Sequence, residues 1–72
     1  MQIIRDLYGD TAFIVYRAYR VQGQRTGQAF MNALWRAGYE VDYNLLQTSG
    51  NDPFYHDGEH VVYDAIEYLT GV

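Results

Sequence analysis

From Gly58 onward, Val61, Val62, Ala65, Ile66 and Leu69 recur at the spacing of one helical face, while Glu59, Tyr63, Asp64, Glu67 and Thr70 fall elsewhere. The pattern predicts a helix over about 58–70. Asp57 suits its N-cap, because a carboxylate can accept from free backbone donors; Glu59 complements the positive end of the dipole, and Gly71 closes the other end. A second helix is predicted over about 25–37, with Phe30, Ala33, Leu34 and Ala37 on its buried face and Gly38 ending it. Gly27, near its start, weakens a helix by up to about 1 kcal/mol relative to alanine, so its presence predicts a close approach by another element.

Between these two segments, Glu40 to Leu46 reads as a short helical turn carrying Val41, Leu45 and Leu46 inward. Thr48 to Pro53 is small, polar and glycine-containing, and reads as a turn. Its proline fixes Phe54 and Tyr55 at a corner, from which both rings are expected to insert into a groove between the helices. The N-terminal third supports two readings. Thr11 to Val21 is rich in β-branched and aromatic residues, and Gly9-Asp10 could turn a hairpin back to Gln2–Tyr8. Alternatively, Asp10 caps a helix that places Ile14, Ala18 and Val21 on its apolar side. The helix is preferred, since an isolated hairpin needs its own packing surface and a third helix completes a bundle. The expected fold is mainly α: one small three-helix domain spanning residues 1–72.

A chain of 72 residues buries only about 60% of the surface it exposes when unfolded. Without cysteine, it must stabilise itself by dense aromatic packing or by homo-oligomerisation. Its eight tyrosines and single tryptophan suit both, because such rings offer large contact area with a polar tip. The net charge is -4, and all basic residues are arginines. Lacking a basic stripe, the chain is not expected to bind nucleic acid. The acids are too dispersed, apart from the five from Asp52 onward, to suggest a nucleic-acid mimic. No run approaches the roughly 20 apolar residues of a membrane span, and the first residues do not resemble a signal peptide, so a cytoplasmic protein without membrane association is expected.

Three constellations bear on chemistry. Arg25, Gln28, Asn32 and Arg36 lie along one ridge of the second helix. They are either a solvated face or a row of guanidinium and carboxamide groups recognising a carboxylate, phosphate, nucleobase or backbone, with Arg25 and Gln28 nearest the anion-favouring helix start. His56 and His60 superficially resemble a zinc-binding pair, but Gly58 places His56 outside the helix and no third ligand is obvious other than Asp64; no metal or cofactor is expected. The aromatic set exceeds what a small core needs. Tyr63 and Tyr68 lie off the apolar stripe of the last helix and Trp35 off that of the second, and exposed rings near arginine are typical interface anchors. Ser49 is the only serine and sits in a turn, so nucleophilic catalysis has no support and no enzyme activity is expected.

Arg25-x-Gly27-Gln28-x-x-x-Asn32, followed by Asp52-Pro53-Phe54-Tyr55 and Asp57, resembles a group of small, mostly uncharacterised proteins of bacteria and their viruses, over residues 24–69. The resemblance implies a compact helical domain in which the Arg-Gly-Gln helix and the Asp-Pro-Phe-Tyr corner belong together; it implies no activity. The expected function is a phage-encoded inhibitor or modulator that binds a host protein through Tyr19, Trp35 and Tyr63, relevant to host defence. The alternative is a homo-oligomer that sequesters a nucleotide-like molecule with Arg25, Gln28, Asn32 and Tyr55. A third possibility is structural: Arg25, Gln28, Asn32 and Asp52 bond to one another and hold the turn against the helix.

Overall fold

Four helices follow one another in the computed structural model, which describes residues 1–71: α1 (Gln2–Val21), α2 (Thr26–Arg36), α3 (Glu40–Ser49) and α4 (Glu59–Thr70). There is no strand among the described residues. The mainly helical class is as expected, whereas the three-helix count and the alternative N-terminal hairpin are corrected. Residues 40–49 form a full helix rather than a turn, so Thr48 and Ser49 belong to α3 and the turn begins at Gly50.

The hairpin signal at Gly9-Asp10 marks a real break of a different kind. Gly9 has φ 89° and ψ 175° inside α1, a conformation open essentially to glycine alone, and helix continues on both sides of it. The kink interrupts the helical bonding of the preceding turn, and the Tyr39 hydroxyl donates to the Tyr8 carbonyl at 3.0 Å. Asp10 does not act as a capping residue; its carboxylate pairs with Arg5 Nε at 3.0 Å.

The face of α1 that meets the core is the reverse of the expected one. Ile4, Tyr8, Ala12, Phe13 and Tyr16 are buried, while Ile14 and Val21 are 62% and 86% exposed. Ile14 lies about 200° of helical rotation from Ala12. Both faces carry apolar residues at helical spacing, and the aromatic face wins because each ring buries about 150–250 Å². Around α2, which contacts each of the other three helices, Phe30, Met31, Leu34, Leu46, Val62 and Ile66 complete the core. Tyr8 is the aromatic hinge of this arrangement, edge-on to Phe30 and to Tyr39 at 6.1 and 4.7 Å between centroids. Its hydroxyl donates to Asp42 at 2.8 Å, tying α1 to α3. Burial, then the adjoining carboxylate, push the Tyr8 phenol well above the ordinary tyrosine range.

Candidate functional site

The residues singled out at the start of α2 and at the proline corner do meet, around Gly27. Its N–H donates to the His56 carbonyl at 3.1 Å. A methyl group in place of its hydrogen would overlap the Pro53 carbonyl oxygen, 2.6 Å from the Pro53 carbonyl carbon and 3.0 Å from the His56 oxygen. The corner thus rests directly on the helix backbone, as the glycine predicted. Pro53 is buried beneath it, and the Asp52 carboxylate folds the corner by accepting the Phe54 N–H at 2.9 Å.

Asp57 and Thr26 fasten the joint, and the sequence reading assigned this role to neither. One carboxylate oxygen of Asp57 accepts the Thr26 N–H at 2.9 Å, the Thr26 hydroxyl at 2.6 Å and its neighbour's N–H, Gly58, at 2.9 Å. The Thr26 oxygen in turn accepts the Gly58 N–H at 3.1 Å. Asp57 therefore serves the first turn of α2, and the residue at the N-cap of α4 is Gly58, which corrects the expected α4 cap. Donors from the Thr26 side chain, then its backbone and Gly58, hold the Asp57 carboxyl at about 2, with Arg20 helping from 3.6 Å. Thr26 followed by Asp57 was not recognisable as a pair because 31 residues separate them and each matches a common local capping role.

The other expected site residues divide into committed and free groups. Gln28 accepts the Arg25 N–H at 3.3 Å, half of a capping box, and Asn32 donates to Gln24 at 2.9 Å. Gln28, Asn32 and Asp52 are each bonded within the fold, but not to one another, so the expected mutual network of Arg25, Gln28, Asn32 and Asp52 does not form. Arg25 lies 5.7 Å from the Tyr55 ring centroid. Phe54 packs half-buried against the core, whereas Tyr55 is 78% exposed, correcting the expectation that both rings enter a groove. Trp35 is exposed and tilted against Tyr43 at 5.2 Å, Tyr63 is exposed, and Tyr19 is half-buried against the core. No ring pair joins Tyr19, Trp35 and Tyr63 among the described residues, so they do not form one aromatic cluster.

A cavity of about 300 Å³ opens beside the corner, with Asp52, Pro53, His56, His60 and Asp64 in its lining. Among the described residues no group of three or more histidines and acids is placed to hold a metal ion. No helix among them is long and apolar enough to cross a membrane. No protein-family model, curated protein or solved structure matches the chain.

Proposed function

We propose that the chain is a protein-binding domain whose joint is scaffold and whose exposed rings make the contact. The observation that carries this is the state of Tyr55: a large aromatic left exposed, fixed in place by its edge contact with Phe54 at 5.0 Å and flanked by Arg25. Tyrosine, tryptophan and arginine presented rigidly lose little entropy on association and are the residues that most often dominate binding energy. Trp35 at the far end of α2 and Tyr63 on α4 supply further anchors, separate from Tyr55. The small size, the net charge of -4 and the surplus of rings suit attachment to a bacterial host protein, and the effect on it is inhibitory.

The test is quantitative co-purification of the partner from the native cell using Tyr55→Ala, Trp35→Ala and Tyr63→Ala, with Tyr19→Ala for comparison. Loss of association by about tenfold or more in at least one exposed-ring variant, as for a contact worth ~1.4 kcal/mol, is expected. Full association in all of them overturns the proposal. Sequestration of a nucleotide-like ligand has weaker geometric support, because Gln28 and Asn32 already bond within the fold and only Arg25 and Tyr55 stay available. A thermal-shift screen with nucleotides separates the two, since ligand at 100 times its dissociation constant stabilises by about 2.7 kcal/mol.

A further inference from the structure

A second feature lies away from the joint, where the first segment of α1 meets α3 and the end of α4. Leu7, Tyr8, Asp42, Ile66, Leu69 and Thr70 line a cavity of about 220 Å³. Its walls are mostly apolar, and Leu7 is 49% exposed at its edge. The half-buried Asp42 carboxylate is its charged group. One oxygen of Asp42 accepts the Tyr8 hydroxyl, and no arginine is within pairing distance of either oxygen among the described residues. An independent feature acts in the same direction: Leu69 and Thr70 belong to the last turn of α4, which holds no basic residue, so the negative end of that helix dipole is uncompensated at the cavity.

We infer that this cavity receives an arginine side chain of the partner protein, its alkyl stem against Leu7, Ile66 and Leu69 and its guanidinium on Asp42. Guanidinium is the better fit than ammonium because it is weakly hydrated and enters an apolar-walled site at lower desolvation cost. Its planar fork can bond the free oxygen of Asp42 while the Tyr8 hydroxyl holds the other. A neutral side chain would fill the same volume but leave the carboxylate with only the Tyr8 hydroxyl and the partial positive charge of the α3 start, in whose first turn it lies, and leave the end of α4 with no cation. The net charge of -4 favours the approach of a basic partner surface. The proposal rests on the chain being a protein-binding domain, but its chemistry can be tested without the partner.

The experiment is an NMR titration of the whole chain with N-acetyl-arginine N-methylamide, with the citrulline analogue as a neutral probe of nearly the same shape. Saturable shifts at Leu7, Asp42, Ile66 and Leu69 are expected with the arginine probe, and about tenfold weaker binding with citrulline, the difference one charge-assisted hydrogen bond makes. Asp42→Asn, which retains an acceptor for Tyr8, should reduce the arginine response to the citrulline level. Leu7→Lys, which places a cation at the cavity in cis, should block the probe even if Asp42→Asn unfolds the chain. Equal responses to both probes, no saturable response, or binding unaffected by either variant overturns the inference. These failures leave the exposed-ring co-purification result untouched, so the two proposals fall separately.

Discussion

Gly27→Ala is the sharpest perturbation of the joint, because substitution in a helix normally favours alanine and here should do the opposite. The added methyl meets backbone, the Pro53 carbonyl and the His56 oxygen, and backbone at a proline corner cannot rotate away as a side chain would. Overpacking of this kind costs about 1–3 kcal/mol. Moving the corner also breaks the Gly27–His56 hydrogen bond, leaving a buried N–H unpaired at a further ~1–3 kcal/mol. Helix propensity returns about 1 kcal/mol. The net destabilisation is about 1–5 kcal/mol, a large part of the ~4–11 kcal/mol expected for a domain of this length. At about 4–8 °C per kcal/mol, Tm should fall by at least about 4 °C in a circular-dichroism melt, with a matching shift of the urea midpoint. A Gly27→Ala protein within about 0.5 kcal/mol of the parent, or more stable, refutes the close packing of corner on helix.

Other outcomes follow from the same geometry. The Asp57 carboxyl titrates at about 2, below its ordinary 3.8, so its contribution to stability is present above pH ~4 and is lost as pH falls through 2; urea midpoints measured across that window should decline less in Asp57→Ala than in the parent. Tyr8 and Tyr16 are shifted the other way, chiefly by burial, so both should ionise last in an alkaline absorbance titration. The stability linked to their neutral forms is present below pH 10 and is lost as pH rises through their folded-state values; Tyr8→Phe should weaken the alkaline slope of the urea midpoint. Gly9→Ala meets no atom within 4 Å but must hold a glycine conformation, so it should cost about 1–3 kcal/mol in the same melts, from backbone strain alone.

What could be read from the sequence depended on whether a signal was local. The α2 and α4 stripes, and Gly27 as a place of close approach, were legible because helical spacing and an out-of-place glycine carry their own explanation. The inward face of α1 was not, since Ile14, Ala18 and Val21 make as regular a stripe as Tyr8, Ala12 and Tyr16; only the core they meet decides between them. The break at Gly9 was visible, but a glycine next to an aspartate fits a hairpin turn as well as a kink. At the joint, Gln28 and Asn32 looked free on the helix surface because their partners, the Arg25 backbone and Gln24, lie just before the helix, where sequence spacing does not fix geometry. Thr26 and Asp57 were missed because their bond joins segments brought together only by the fold.

The central claim is that the joint supports the fold while the exposed rings make the contact, and it is tested most directly by measuring Tm and partner association together in Thr26→Val and Tyr55→Ala. Thr26→Val keeps the buried volume and removes the hydroxyl that donates to Asp57 and accepts from Gly58. It should lower Tm yet associate normally below its melt. Tyr55→Ala should stay within about 1 kcal/mol of the parent, as an exposed position with one edge contact, yet lose association. The opposite pattern, lost association in folded Thr26→Val and full association in Tyr55→Ala, would contradict it.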